Sequence, residues 1–213
     1  MKNKFLLALL FVVCFAATSM AQSISVGPRV GATFSKVALS DDGDEEVTND
    51  DIKSTPGIQF GAVANFMISD MFSIQPELLY VQKGYKIGED DAYLKGKLNY
   101  IEVPVLAKIT FGGEQVRGFV TGGPTLGYWT GGKSTAKFGS MEASEDYEFD
   151  DSDNRLELGA SFGVGTAFKV GPGELNLDVR YGLGFTGLSE TEGNDPKTRN
   201  RVFGVSLAYL FNL

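Results

Sequence analysis

Apolar and polar side chains alternate at every second position through most of the chain. Within residues 24–34, Val26 and Phe34 share one face, whereas Ser25 and Arg29 share the other. A period of two is typical of β-strands with one apolar and one polar face. The alternation recurs in eight segments, at residues 24–34, 57–68, 72–86, 98–111, 116–128, 156–170, 175–185 and 202–213.

The length of these segments separates membrane strands from soluble ones. Most contain 11–15 residues, whereas strands of soluble proteins usually have about 5–6 and a membrane-crossing strand needs about 9–11. Tight turns alternate with long polar connections, which lie at 36–56, 87–97, 130–154 and 187–200. We therefore predict an all-β fold, an eight-stranded antiparallel up-and-down transmembrane β-barrel with short periplasmic turns and long extracellular loops.

Charge distinguishes the two faces of the strands. A charge that faces lipid near the midplane costs about 2–4 kcal/mol, so the charged face is expected to line the lumen. It carries Arg29, Glu77, Glu102, Lys108, Arg117, Glu157, Lys169, Asp178 and Arg180. Aromatic residues near both strand ends suggest two interfacial belts. They are Phe66, Phe72, Phe111, Phe168, Tyr209 and Phe211 near the turns, and Phe34, Tyr128, Trp129, Phe185 and Phe203 near the loops.

The inward charges predict a filled lumen. Eight strands enclose a space just wide enough for side chains to fill, and a buried charge without a partner costs several kcal/mol. Five of the charges fall at similar heights when residues are counted from the short turns. We expect a salt-bridge network that plugs the lumen, and the alternative is a narrow ion pathway. The candidate network is Arg29, Glu77, Glu102, Lys108, Asp178 and Arg180.

The first residues have the pattern of a secretory signal. Two lysines, at positions 2 and 4, precede an apolar run over residues 5–17. Small residues at Ser19 and Ala21 fit a cleavage site, so residues 1–21 are predicted to be a cleaved signal peptide. Residues 22–213 would then form the barrel domain, located in a bacterial outer membrane.

Composition excludes several functions. The formal net charge of −8 argues against nucleic acid as a partner. The chain has no histidine, and Cys14 of the signal segment is its only cysteine, so a Ser-His or Cys-His centre cannot form. We predict a protein that is not an enzyme and has no cofactor. Residues 127–134 match a phosphate-binding loop pattern, but they continue a strand with no following helix, which indicates a chance match.

Acidic residues concentrate in the connections at 36–56 and 130–154. Such loops could bind a divalent cation weakly, although solvated, self-repelling surface loops are the simpler interpretation. Tyr147 and Phe149, within the second acidic cluster, leave open the binding of a surface protein.

Four motifs resemble a known family. They are Ser73–Tyr85 (SIQPELLYVQKGY), Asn99–Leu106 (NYIEVPVL), Gly122–Gly127 (GGPTLG) and Asp178–Tyr181 (DVRY). Together they resemble the PorT-like outer-membrane β-barrel proteins of Bacteroidetes. The resemblance implies an eight-stranded barrel in contact with outer-membrane lipid, with Glu77, Glu102 and Arg180 at motif positions. Some members of that family serve a secretion and gliding apparatus, which implies a secretion-machinery protein as a partner.

A soluble alternative also fits the alternation. A periplasmic, lipocalin-like barrel would place the apolar face inside around an apolar ligand and the charged face outside. The two architectures therefore differ in which face is buried.

Overall fold

The computed structural model describes residues 23–38, 52–89, 91–150, 153–187 and 198–213. None of these residues belongs to a helix long and apolar enough to cross a membrane. The predicted signal peptide lies outside the described residues. The strands are β1 (Ser23–Ala38), β2 (Ile52–Met67), β3 (Phe72–Glu89), β4 (Ala92–Gly112), β5 (Val116–Phe138), β6 (Met141–Asp146), β7 (Leu156–Val170), β8 (Gly173–Gly184) and β9 (Arg199–Asn212).

Eight of the strands form a closed antiparallel ring. Their order is β4, β3, β2, β1, β9, β8, β7 and β5, and pairing of β4 with β5 closes the ring. The first and last strands are neighbours, with Ser25 opposite Asn212. The prediction of an eight-stranded antiparallel barrel is therefore confirmed.

Strands β4 and β5 continue well beyond the lengths predicted from the sequence, and β6 was not predicted. β4 has 21 residues and β5 has 23, and β6 folds back on the end of β5 as a hairpin outside the ring. The predicted long loops at 87–97 and 130–154 are therefore wrong for most of their residues. Polarity correctly indicated residues outside lipid, but a backbone in water can still pair, so the sheet extends past the membrane.

The polarity of the two faces is that of a membrane barrel. Apolar side chains such as Val30, Ile58 and Phe162 are more than half exposed on the outer surface, whereas Arg29 and Asp178 are 3% exposed. A lipid-facing apolar surface around a polar interior is the arrangement of outer-membrane barrels. The soluble, lipocalin-like alternative requires the opposite polarity and is wrong.

One aromatic residue predicted for the extracellular belt lies in the lumen instead. Trp129 is 2% exposed and points into the lumen, while its neighbour Tyr128 is 46% exposed on the outside. Successive residues of a strand point to opposite faces, so these two residues could not both lie in a belt. Phe34, Phe185 and Phe203 do lie exposed near the extracellular strand ends.

Candidate functional site in the barrel lumen

Four of the predicted lumen charges meet in a central cluster. Arg180 donates two parallel hydrogen bonds to Glu77, at 2.8 Å to Oε2 and 2.9 Å to Oε1. Arg29 Nη2 lies 2.5 Å from Asp178 Oδ1, and Arg180 Nη2 lies 3.2 Å from Asp178 Oδ2. Arg29 Nη1 is 3.7 Å from Glu77 Oε1, which closes a ring of two cations and two anions.

Neutral side chains add hydrogen bonds to the central cluster. Ser206 accepts a hydrogen bond from Arg29 at 2.6 Å and donates one to Asp178 at 3.0 Å. Gln75 donates to Glu77 at 2.6 Å. Charged groups removed from water need such partners, since paired charges are tolerated in an interior only with good geometry.

Two glycines of β7 make room for this cluster. A Cβ at Gly163 would lie 2.7 Å from Arg180 Cγ, and a Cβ at Gly165 would lie 2.7 Å from Asp178 Cβ. Any larger residue at either position would collide with the charged side chains. The alternation of glycine with apolar residues on β7 therefore reflects the space that the cluster needs.

A second cluster lies toward the extracellular end. Lys83 Nζ is 2.6 Å from Glu157 Oε1 and 3.3 Å from Glu102 Oε1. The same ammonium lies 4.5 Å from the centre of the Tyr100 ring. Asn200 donates hydrogen bonds to Glu157 and, at 3.3 Å, to the Tyr100 hydroxyl. Glu102 therefore belongs to this cluster and not to the central one.

A third cluster lies toward the periplasmic end. Lys108 Nζ donates to Asn176 Oδ1 at 3.2 Å, lies 3.9 Å from Glu174 Oε1 and sits 4.2 Å from the centre of the Phe119 ring. Arg117 pairs with the same glutamate. The expectation that Lys108 and Glu102 join the other four residues in one network is thus wrong at the level of contacts.

The stagger between strands explains this error. Residue counts along each strand give a height only if the strands are in register, but strands of a closed barrel are tilted and sheared. Glu102 lies opposite Leu79 and Lys108 lies opposite Ser73, on either side of Glu77 along β3. Counting from the short turns therefore placed Lys108 at the level of the central cluster, although it lies closer to the periplasm.

Sequence reasoning missed Lys83. It has the same parity as Glu77 on β3 and is 3% exposed, so alternation alone could have found it. Lys169, which was assigned to the charged face, is exposed at the periplasmic end of β7 and joins none of the three clusters.

Aromatic side chains close the extracellular mouth above the second cluster. The Trp129 ring lies 4.5 Å from the Tyr147 ring and 4.9 Å from the Phe149 ring. Beneath it, the Tyr100 ring stacks at 6.3 Å, and the Arg155 guanidinium lies 4.1 Å from the Phe149 ring. We call Tyr100, Trp129, Tyr147 and Phe149 the aromatic cap. The rings that sequence analysis left available to a partner pack within the chain.

A hydrogen bond fixes the segment that carries the cap. The Tyr147 hydroxyl donates to Asp153 Oδ1 at 2.8 Å. Burial, and then this hydrogen bond to a carboxylate, raise the pKa of Tyr147 well above its ordinary value of 10.0. The neutral phenol is thus the form that the folded cap prefers.

Little space remains between the clusters. A cavity of about 50 Å³ lies between the central and extracellular clusters, lined in part by Gln59, Glu102 and Arg180. A cavity of about 20 Å³ lies at the periplasmic end beside Lys108 and Glu174. Cavities of this size hold individual water molecules.

Within the described residues, the segments whose sequence suggested a phosphate-binding loop or a metal site form neither. Residues 127–134 lie within β5, where no helix follows the glycines. Among the described residues, no three or more Asp or Glu side chains are grouped to hold a metal ion. The acidic residues at 39–51 lie outside the described part of the chain.

Comparison with known families agrees with the barrel geometry. A family model described as the outer membrane protein beta-barrel domain matches residues 20–190. The chain belongs to this family. Because the chain belongs to this family and has an apolar, lipid-facing surface, the protein lies in the bacterial outer membrane, in contact with lipid. No curated protein sequence matches the chain significantly.

The chain is also similar to solved structures of outer-membrane and surface proteins. OprG from Pseudomonas aeruginosa is 12% identical with a TM-score of 0.53, over 91% of this chain and 97% of that chain. Ail from Yersinia pestis is 14% identical with a TM-score of 0.43, over 88% and 98% of the two chains. Neisserial surface protein A is 13% identical with a TM-score of 0.44, over 86% and 95%. The likeness to OprG bears on the fold alone.

Proposed function

We propose that this protein is a non-conducting outer-membrane barrel with a structural or surface-interaction role. Its lumen is plugged by the three charge clusters. One observation carries the inference: Arg29, Glu77, Asp178 and Arg180 pair with one another across the middle of the barrel. An ion that crossed this level would have to separate partners that hold each other at hydrogen-bond distance.

The charge balance of the lumen supports a plug over a selective pore. Its clusters contain Arg29, Lys83, Lys108, Arg117 and Arg180 against Glu77, Glu102, Glu157, Glu174 and Asp178. A selective pore favours one sign of charge along its wall, whereas equal numbers of both signs favour pairing. The aromatic cap adds a second barrier at the extracellular mouth.

We also infer that the protein is not an enzyme. The chain has no histidine, and the lumen carboxylates already accept hydrogen bonds from arginine, lysine or amide groups. A general base must reach a substrate proton, whereas these carboxylates are held in ion pairs with lumen cations.

The surface role follows the resemblance to PorT-like proteins of Bacteroidetes. Three of its motif positions, Glu77, Glu102 and Arg180, lie in the charge clusters. We propose a secretion-machinery or other surface protein as the partner. The acidic residues within 36–56 and 130–154 would attract divalent cations weakly, through net charge.

Planar bilayer recording tests the plug. The wild-type protein is expected to insert without stable unitary currents in concentrated potassium chloride. A variant with alanine at positions 29, 77, 178 and 180 removes equal positive and negative charge and opens the central level, so it should conduct. Steady unitary conductance of the folded wild-type protein would overturn the plug and restore the ion-channel alternative.

A further inference from the structure

Six lysines lie together on the outward face of the strands where they leave the membrane. Lys53, Lys86 and Lys95 occupy directly paired positions on three neighbouring strands, β2, β3 and β4. Lys97 of β4 is likewise paired with Lys133 of β5. We call the set the basic patch, and it consists of Lys53, Lys86, Lys95, Lys97, Lys133 and Lys137.

The basic patch begins where the lipid-facing surface ends. The outward residues of β4 are apolar from Phe111 to Ile101 and then change to Asn99, Lys97 and Lys95. Lys97 lies four residues past Ile101, a rise of about 10 Å along the membrane normal for a tilted strand. Lysine side chains are long enough to reach back toward the interface, so the ammonium group of Lys97 can reach the level of the outer-leaflet headgroups.

Acidic side chains on the same surface neutralise only part of the patch. Lys53 Nζ is 2.7 Å from Glu89 Oε1, and Lys133 Nζ is 3.6 Å from Asp146 Oδ1. Within the described residues, neither Lys95 nor Lys97 has a carboxylate within 4.0 Å. Like charges at directly paired positions of a sheet destabilise it, so an external anion would relieve this arrangement.

One lysine of the basic patch, Lys95, has a lowered pKa. Partial burial, followed by repulsion from Lys97 and Lys86, lowers the pKa of Lys95 below its usual range, while Glu142 opposes the effect. Tyr93 lies among these lysines, with Lys86 Nζ 4.5 Å and Lys137 Nζ 5.7 Å from its ring centre. The Tyr93 ring thus contacts the ammonium groups of two lysines of the basic patch.

We propose that the basic patch binds the phosphate groups of anionic lipid headgroups in the outer leaflet of the outer membrane. The patch lies on the lipid-facing side of the barrel and begins at headgroup depth with Lys97, in a protein whose net charge is −8. Lysine is a strong partner for phosphate, and several lysines on one wall can bind a diphosphorylated headgroup. The lipid phosphate would act as the counterion that Lys95 and Lys97 lack among the described side chains.

Native mass spectrometry of the barrel in zwitterionic detergent tests this site. Diphosphorylated lipid A is the probe, and its enzymatically dephosphorylated form is the control ligand. Phosphorylated lipid A should bind more tightly, and excess inorganic phosphate should not displace it. Lys97→Gln should weaken binding about fivefold and Lys95→Gln with Lys97→Gln about thirtyfold, since each basic residue near an anionic surface contributes about 1 kcal/mol.

Lys169→Gln is the matched control, because Lys169 is an exposed lysine at the opposite end of the barrel. It should bind lipid A as the wild type does, and Lys95→Arg with Lys97→Arg should retain binding. Heat-dependent migration on SDS gels checks that each variant is folded. Equal binding of the two lipid A forms, or equal losses from Lys97→Gln and Lys169→Gln, would overturn the proposal. Displacement by inorganic phosphate would also overturn it, in favour of a site for free phosphate.

Discussion

Glu77 is paired with both arginines of the central cluster. Its carboxylate accepts two hydrogen bonds from Arg180 and one from Gln75, and it also faces Arg29. Its loss would leave two buried guanidinium groups with Asp178 as their shared anion. The stability of the barrel should therefore depend strongly on this one residue.

Glu77→Gln should lower the free energy of unfolding by about 3–5 kcal/mol, because it leaves a buried positive charge without compensation. Urea unfolding in lipid micelles, followed by the emission of Trp129, measures the effect. Glu89→Gln is the matched control, since Glu89 forms an exposed pair with Lys53 and exposed pairs contribute at most about 1 kcal/mol. Equal losses in the two variants would contradict the structural importance of the central cluster.

At the residue scale, alternation predicted which side chains are inward but not which ones meet. Parity places Arg29, Glu77 and Arg180 in the lumen without a structure, because a strand has only two faces. The contact of Glu102 with Lys83 depends on the stagger between β3 and β4, and one chain position carries no information about that stagger. The cluster membership could therefore not be read from the sequence.

At the scale of elements, the β5–β6 hairpin and the segment after it position the aromatic cap. Tyr147 N donates to Gly132 O at 3.0 Å, which brings the segment back over the barrel, and the Tyr147 hydroxyl donates to Asp153. Because the pKa of Tyr147 is raised on folding, its contribution to the cap is complete below the unfolded pKa near 10.0 and is lost as pH rises further.

The raised pKa of Tyr147 predicts how the aromatic cap responds to alkaline pH. The emission maximum of Trp129 should shift to longer wavelength only at a pH well above 10, because the raised pKa keeps Tyr147 neutral until then and its ionisation disrupts the cap and admits water. Tyr147→Phe keeps the ring but has no proton to lose, so its shift should be smaller. Trp129 is the only tryptophan, so its emission reports the cap alone. Superimposable pH profiles of the two proteins would contradict a cap held by the Tyr147 hydroxyl.

Element boundaries were predictable inside the membrane and not outside it. From Ile101 to Phe111, β4 alternates between lipid and lumen, and the sequence shows that period directly. From Ala92 to Asn99 the outward face carries Lys95, Lys97 and Asn99, so the segment has the polarity of a loop although Leu94 and Leu98 still alternate with these residues. The extracellular part of the sheet, which carries the basic patch, forms through strand pairing that hydropathy does not predict.

At the scale of the whole molecule, ring closure explains why the chain has two such different faces. Closure removes the free edges that lipid could not hydrogen-bond, and it gives each strand a lipid side and a lumen side. The lipid-facing side needs only apolar side chains, so one apolar residue can replace another there. The lumen side must fill a fixed volume with paired polar groups, so its glycines and charges are specific in position.

Adjacent residues of β9 provide the most direct test of the account. Ser206 is 3% exposed in the lumen and Leu207 is 42% exposed toward lipid. Cysteines placed separately at these positions report the two faces, because Cys14 is the only native cysteine and can be replaced by serine.

In folded protein in a bilayer, Ser206→Cys should not react with a charged, water-soluble thiol reagent and should react once the barrel is unfolded. A spin label at Leu207→Cys should be relaxed by oxygen dissolved in the lipid and not by a water-soluble nickel complex. Rapid reaction of Ser206→Cys in the folded barrel would show a water-filled lumen. Relaxation of the label at position 207 by the nickel complex would place the apolar face in water, and either result would contradict a lipid-facing barrel with a closed, charge-filled lumen.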